Sequence, residues 1–220
     1  GGASAASHSA CTAPANASSN GGGAAECSLT NCTVSGNAAT FYGGGTSGGI
    51  LRYCRILDNA AKGGGGVYNS YAHSCLLAGN RAVGNGWGGG SSAGVLYNCT
   101  VAGNSAAQGG GVYGSSLYNC IIYYNTASGS GPNHAGSPLY SYCCTTPSLG
   151  TSCITNNPLF LDVASSNFHL AAGSRCLDAG SNSHVDFTVA ARDLDGNPRI
   201  FNAKVDMGAY EFTGTLTTVQ

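Results

Sequence analysis

The sequence predicts an all-β protein: a right-handed parallel β-helix of about seven turns, each 21–24 residues long. Three observations support this fold class. Glycine blocks recur, a cysteine follows the last glycine of each block by nine residues, and an asparagine follows each cysteine by five residues. The cysteines are Cys11, Cys32, Cys54, Cys75, Cys99 and Cys120, and the asparagines are Asn16, Asn37, Asn59, Asn80, Asn104 and Asn125. Steps of 21, 22, 21, 24 and 21 residues between these cysteines are typical of a solenoid.

Each repeat predicts about three short strands separated by bends. An apolar residue lies two positions after each cysteine, as at Val34 and Ile56, and in most repeats another lies three positions before it, as at Leu29 and Leu51. Valines such as Val67 follow the glycines and supply a third strand. This spacing has the period of two that strands show, and no segment has a helical period.

Stacked turns at ~4.8 Å spacing would place equivalent residues in ladders along the axis. An asparagine side chain both donates and accepts, so stacked copies can bond to each other and to the bent backbone. We interpret the cysteine ladder as a row of small, buried, inert thiols. A row of metal or sugar ligands is disfavoured, because both ladders point inward and lack carboxylates.

Five further cysteines lie outside this pattern. Either Cys143 or Cys144 extends the ladder by one turn. We predict a disulfide between Cys144 and Cys153, which enclose a short loop that contains Pro147.

The composition divides the chain into residues 1–155, the repeats; residues 156–212, a C-terminal module; and residues 213–220, a strand-prone tail. Glycine becomes rarer after Asn156, and seven of the nine acidic residues lie between Asp162 and Glu211. Because the end of a solenoid exposes unpaired backbone, we expect the second part to be a β-rich cap that continues the solenoid.

The C-terminal module resembles the choice-of-anchor Q domain of bacterial surface and secreted proteins. Five motifs in family order carry this resemblance: Asn157-Pro158-Leu159-Phe160-Leu161-Asp162, Asn167-Phe168-His169-Leu170, Gly173-Ser174-Arg175-Cys176-Leu177-Asp178-Ala179-Gly180, Asp193-Leu194-Asp195-Gly196-Asn197-Pro198-Arg199-Ile200 and Val205-Asp206-Met207-Gly208-Ala209-Tyr210-Glu211-Phe212. The upstream repeats are similar to polymorphic outer-membrane protein and pectate-lyase-like β-helix repeats. The resemblance implies an exported bacterial protein, and it defines no catalytic or binding residue to carry over.

One acidic loop superficially resembles a calcium site. Asp193, Asp195 and Asn197 surround Gly196, but no glutamate follows at the spacing that a calcium loop requires. We expect these carboxylates to cap turns and to pair with Arg175, Arg192 or Arg199, and we predict no metal and no cofactor.

Charge excludes two classes of partner. Eight basic and nine acidic residues give a net charge of −1, so the chain lacks the basic surface that nucleic acids or acidic membranes attract. It also lacks the run of about 18 apolar residues that a membrane span needs.

We also expect that the protein is not an enzyme. Before residue 157 the acids are Glu26 and Asp58, which lie at different points of the repeat and cannot flank one bond. The five histidines have no carboxylate at an equivalent position. A polysaccharide lyase or hydrolase, in particular a lyase with a tyrosine base, stays as the third hypothesis.

Tyrosines are the most informative surface residues. Tyr97 and Tyr118 lie two residues before a ladder cysteine, where a row of aromatic rings could contact a neighbouring subunit or stack on sugar rings. The chain begins inside a repeat, so we expect an open β edge that joins copies head to tail, with strand-prone residues 215–219 pairing with the next subunit. The first hypothesis is therefore an extracellular or cell-surface structural protein that assembles into filaments, and the alternative is a carbohydrate-binding or adhesive surface module.

Overall fold

Four parallel sheets form the solenoid, and the chain visits them in the same order in every complete turn. The computed structural model describes residues 3–4, 7–9, 12–136, 139–148 and 150–214. Within these residues, six complete turns of four strands are followed by a seventh turn of three strands. The predicted all-β solenoid is thus confirmed, although each complete turn has four strands where the sequence predicts three.

Sheets 1 and 2 contain the strands that follow the glycine blocks and precede the ladder cysteines. Sheet 1 consists of β1 (Ala3–Ser4), β5 (Ala24–Ala25), β9 (Thr46–Ser47), β13 (Val67–Tyr68), β17 (Ser91–Ser92), β21 (Val112–Tyr113) and β25 (His134–Ala135). Sheet 2 consists of β2 (Ser7–Ser9), β6 (Ser28–Thr30), β10 (Ile50–Arg52), β14 (Tyr71–His73), β18 (Val95–Tyr97), β22 (Ser116–Tyr118) and β26 (Tyr140–Ser141). The middle residue of a sheet 2 strand, such as Leu51 or Leu96, points into the core and is fully buried.

Sheets 3 and 4 follow the cysteine and the asparagine. Sheet 3 consists of β3 (Thr12–Pro14), β7 (Thr33–Ser35), β11 (Arg55–Leu57), β15 (Leu76–Ala78), β19 (Thr100–Ala102), β23 (Ile121–Tyr123) and β27 (Cys144–Thr145). Sheet 4 consists of β4 (Ala17–Asn20), β8 (Ala38–Tyr42), β12 (Ala60–Gly63), β16 (Arg81–Trp87), β20 (Ser105–Gln108) and β24 (Thr126–Ser130). The sequence pattern does not reveal sheet 4, because the side chains that it buries are small alanines such as Ala61 and Ala82.

The glycine blocks form the corner between sheets 4 and 1. Gly43 has φ +64°, a left-handed conformation that glycine adopts without strain. At Gly44 an added Cβ would lie 2.3 Å from the carbonyl oxygen of Gly65 in the next turn. Close stacking of successive turns therefore requires glycine at this corner, which explains why the blocks recur with the period of the fold.

The C-terminal segment, residues 156–214, contains little regular structure among its described residues. Strands β28 (Phe160–Asp162) and β29 (Asn167–Leu170) form an antiparallel pair, and Asn182–His184 form a short 3-10 helix. The rest is irregular, which differs from the predicted β-rich cap.

This segment lies along the outer face of sheet 3 and runs back over earlier turns. The backbone N–H of Gly208 donates to Asn119 O at 2.8 Å, and Ala209 N–H donates to Thr100 Oγ1 at 3.0 Å. One turn earlier, Ser74 Oγ donates to Arg192 O at 3.0 Å. The segment therefore contacts at least three successive turns and covers one side of the solenoid.

Apolar residues on the outer face of sheet 3 explain this position. Leu76, Ala78 and Ala102 point outward, yet they are buried in one cluster with Phe168 and Tyr210 of the C-terminal segment. The equivalent outward residues of an earlier turn are Thr33 and Ser35, which are only partly buried. Burial of this apolar surface is the main force that attaches the segment.

Candidate functional site

The predicted asparagine ladder forms a continuous hydrogen-bonded column. Asn59 Nδ2 donates to Asn80 Oδ1 at 3.0 Å, and Asn80 Nδ2 donates to Asn104 Oδ1 at the same distance. The same link joins Asn16, Asn37, Asn59, Asn80, Asn104 and Asn125, and Asn133 extends the column by one residue. Each of these side chains is committed to its neighbours, so the column acts as structure.

The cysteines form a second column, which we call the thiol file. From Cys54 to Cys143, the backbone N–H of each file cysteine donates to the sulfur of the next; the Cys54 N to Cys75 Sγ distance is 3.3 Å. The described file consists of Cys32, Cys54, Cys75, Cys99, Cys120, Cys143 and Cys153, and Cys11 lies outside the described residues. Cys32 is disulfide-bonded, so the prediction of an inert free thiol is wrong at this position of the ladder. Burial raises the pKa of the Cys99 and Cys143 thiols, which keeps them protonated.

The predicted disulfide between Cys144 and Cys153 is wrong, because both residues are free thiols. Successive residues of a strand face opposite sides, so Cys143 points into the core and Cys144 points out. Cys144 packs with Cys176 and donates to Asn156 O at 3.1 Å. Cys153 packs on the core side, next to Cys143.

The carboxylates of the acidic loop form hydrogen bonds and an ion pair with other groups of the protein. Asp193 is buried and accepts hydrogen bonds from the backbone N–H groups of Asp195, Asn197 and Glu211. Asp195 pairs with Arg55 of the solenoid, at 3.4 Å. Among the described residues, no three His, Cys, Asp or Glu side chains lie close enough together to hold a metal ion.

Tyr97 and Tyr118 belong to a column of rings on the outer face of sheet 2. Tyr97 stacks on Tyr118 with centroids 4.8 Å apart, and on its other side it stacks on His73 at 5.0 Å. His184 of the C-terminal segment packs against Tyr118 at 4.9 Å. Sequence analysis missed His73, although it too lies two residues before a ladder cysteine and so shares the register of Tyr97.

The aromatic groove lies beside this column, between sheet 2 and the C-terminal segment. It has a volume of about 680 Å³ and is lined by Tyr71, His73, Tyr97 and residues 183–189. Two aromatic side chains are unusually open to solvent there: Tyr71 is 53% exposed and Phe187 is 56% exposed. The groove therefore combines apolar ring surfaces with polar groups from the same set of residues.

Burial and hydrogen bonds set the charge of the groove. Burial lowers the pKa of His73 and of His184, so both imidazoles are neutral at neutral pH. The hydroxyl and backbone N–H of Thr188 donate to Asp186, which lowers the pKa of this carboxyl. At neutral pH the groove thus presents two neutral imidazoles and one carboxylate, all able to form hydrogen bonds.

Comparison with known proteins gives no family: no family model matches the chain, and no significant match is found among curated proteins or solved structures. The parallel solenoid is consistent with a β-helix, and the finer resemblances to pectate-lyase-like repeats and to the choice-of-anchor Q domain stay predictions. Within the described residues, no helix has the length and hydropathy that crossing a membrane requires.

Proposed function

We propose that this protein is an extracellular or cell-surface module that binds carbohydrate in the aromatic groove. The observation that carries the proposal is the pair of open rings, Tyr71 and Phe187, on a groove that also contains His73, His184 and Asp186. Sugar rings have apolar faces that stack on aromatic side chains and hydroxyl groups that need hydrogen-bond partners. The groove offers both, and its volume is typical of a ligand site.

The charge of the groove favours neutral sugars over acidic ones. Asp186 is the carboxylate among the described lining residues, and both imidazoles stay uncharged at neutral pH. An acidic polysaccharide would meet a negative charge without a cation in the lining. We include no catalytic step, because glycoside hydrolysis uses two carboxylates on opposite sides of the bond.

Binding to an array of neutral and acidic glycans, followed by calorimetry, tests this function. We expect neutral glycans to bind and both Tyr71→Ala and Phe187→Ala to weaken binding at least tenfold. Phe41→Ala is the matched control, because Phe41 is 51% exposed and does not line the groove. Equal affinity in all variants, or loss in Phe41→Ala alone, would refute the proposal.

Self-assembly into filaments is the second candidate, and one observation favours it. Strand β24 (Thr126–Ser130) is the last strand of sheet 4 and has no strand on its other side among the described residues. It carries no charged side chain and is largely exposed, so its open edge can accept a strand of another copy. Ser128→Lys should shorten or abolish filaments seen by electron microscopy, whereas Ser18→Lys in β4 at the other edge of sheet 4 tests whether both edges take part.

The resemblance to surface domains supports the same location for either function. Within these proposals the C-terminal segment is the choice-of-anchor Q module, and the protein is exported from a bacterial cell. Fractionation of the native host tests this location, and we expect to find the protein outside the cytoplasm.

A further inference from the structure

The thiol file ends in a cysteine that differs from the others. Cys54, Cys75, Cys99, Cys120 and Cys143 are fully buried, whereas Cys153 is only half-buried. Cys153 follows a loop that leaves the seventh turn, and isolated bridges pair Ser141 with Thr151 and Cys144 with Ile154. These two bridges place Cys153 in register with Cys143.

The contact between these two cysteines is direct. The backbone N–H of Cys143 donates to Cys153 Sγ at 3.4 Å, so this sulfur lies against the backbone of the neighbouring cysteine. Adjacent parallel strands lie about 4.8 Å apart, within the range of Cα separations found in disulfides. A cysteine that solvent can reach therefore has a second, protected thiol one turn away.

We propose that Cys143 and Cys153 form a redox-sensitive modification site, in which Cys153 reacts with a peroxide and Cys143 resolves the product. In the first step the Cys153 thiol attacks hydrogen peroxide, an S–O bond forms, the O–O bond breaks, and sulfenic acid and water result. In the second step Cys143 sulfur attacks the sulfenic sulfur, and a disulfide and a second water result. Each pair of thiols thus loses two hydrogens, and one peroxide is reduced to two waters.

The electrostatic environment supports this assignment. The thiol of Cys143 hydrogen-bonds to Cys153, and with the Cys143 backbone N–H it lowers the pKa of Cys153 to about 7. The other titratable groups that interact with Cys153 are Cys120, which opposes this effect by raising the pKa of Cys153, and Cys144 and Tyr140. Burial raises the pKa of Tyr140, and a hydrogen bond with Cys176 together with burial raises the pKa of Cys144, so both are neutral and add no charge beside the Cys153 thiolate.

Alkylation of the folded protein tests the first step. With a limiting amount of iodoacetamide, we expect one thiol per chain to react, with a rate that rises to half its maximum near pH 7. Cys153→Ser should remove this reaction, while Cys176→Ser, which changes a buried free thiol, should leave it intact. Labelling that is spread over several cysteines, or a midpoint near pH 9, would overturn the assignment.

Peptide mapping after peroxide treatment tests the second step. Chymotrypsin cuts after Tyr142 and Leu149, which separates Cys153 from both Cys143 and Cys144. We expect a cross-linked pair of peptides that persists in Cys144→Ser and disappears in Cys143→Ala, where dimedone should instead trap a sulfenic acid on Cys153. If Cys143→Ala does not fold, the wild type and Cys144→Ser still decide the question. Oxidation of Cys153 to sulfinic acid without a cross-link in the wild type would overturn the role of Cys143.

Discussion

The solenoid and the C-terminal segment are stabilised in different ways. In the solenoid, each interaction recurs at every turn, and a column such as the asparagines contains several nearly equivalent links. In the C-terminal segment, each contact occurs once, and its centre is an ion pair between Arg199 Nη2 and Glu211 Oε1 at 3.0 Å, with both side chains buried. When one link of a column is lost, the equivalent links in other turns still stabilise the solenoid. No other contact in the C-terminal segment can replace its buried ion pair.

The largest expected effect comes from removing one charge of that pair. Arg199 also donates to the carbonyl oxygens of Asp206 and Gly208, at 3.0 and 2.7 Å. Arg199→Met leaves the Glu211 carboxyl and the carbonyl oxygens of Asp206 and Gly208 buried without their donor, which should cost about 3–5 kcal/mol in total. Hydrogen exchange should then show residues 156–214 opening while the solenoid stays protected.

Two variants control this experiment. Lys204→Met removes an exposed positive charge in the same segment and should change stability by less than about 0.5 kcal/mol. Above pH 8, the double change Arg199→Met with Glu211→Gln should recover part of the loss, because no glutamate charge then has to be buried without its cation. If Arg199→Met and Lys204→Met are equally stable, the pair is not the centre of the segment.

The same pair predicts a pH dependence that the solenoid columns lack. Burial outweighs the attraction of Arg199 and raises the pKa of Glu211 to about 8. A raised carboxyl pKa means that the folded state binds the proton more tightly, so the stability from protonated Glu211 is present at low pH and is lost as the pH rises through about 8. Stability of the segment should therefore fall by roughly 1 kcal/mol per pH unit between pH 6.5 and 8 from this group.

Glu211→Gln isolates this contribution, since glutamine does not titrate. Cys153 also titrates in this range, but it is present in both proteins, so the difference between the two slopes belongs to Glu211. We expect urea midpoints of the wild type to fall more steeply with pH than those of Glu211→Gln. Parallel slopes would show that Glu211 ionises normally.

A smaller effect is expected within the asparagine column. Asn80 Oδ1 accepts from the backbone N–H and the Nδ2 of Asn59, and Asn80 Nδ2 donates to Ile56 O at 2.8 Å. Asn80→Ala leaves these buried groups without partners and should lower the free energy of unfolding by about 1–3 kcal/mol. Asn85→Ala, at an exposed position of β16, is the control and should be nearly neutral. If Asn80→Ala loses as much stability as Arg199→Met, the remaining links of the column do not compensate for the lost one.

The comparison also shows what the sequence could reveal. The period of Cys54 and Asn59 predicts the turns, because every turn must satisfy the same stacking constraint. The position of the C-terminal segment has no such repeat, but one signal was present: Leu76 and Ala78 are apolar at outward positions, where Thr33 and Ser35 are polar. The same register identifies His73 as a member of the aromatic column.

The groove was harder to predict for the same reason. Its solenoid side follows from the register of sheet 2, which aligns His73 with Tyr97 and places Tyr71 two residues before His73. Its other side, with Phe187 and Asp186, belongs to irregular backbone whose path depends on contacts far apart in sequence. No local sequence pattern specifies such a path. The sequence therefore predicts the row of tyrosines, whereas the groove beside it is visible only in the structure.

The smallest expected effect uses one turn of the solenoid as the reference for another. The corner after the sheet 1 strands β9, β21 and β25 is a glycine with positive φ: Gly48 has +72°, Gly114 has +59° and Gly136 has +76°, whereas the equivalent residue in the fifth turn is Ala93 at +54°. Alanine is disfavoured in this conformation, and Ala93 is exposed, so its methyl group contributes little packing. Ala93→Gly should therefore stabilise the protein by about 0.5–1 kcal/mol, since relief of backbone strain outweighs the entropy that glycine adds to the unfolded chain.

The reverse change, Gly114→Ala, should destabilise the protein by a similar amount at the equivalent corner. Space is not limiting there, because a Cβ would meet only the Gly136 oxygen at 3.8 Å. Opposite shifts of the urea midpoint in these two variants would show that the turns are interchangeable in their backbone energetics, and shifts of the same sign would show that they are not.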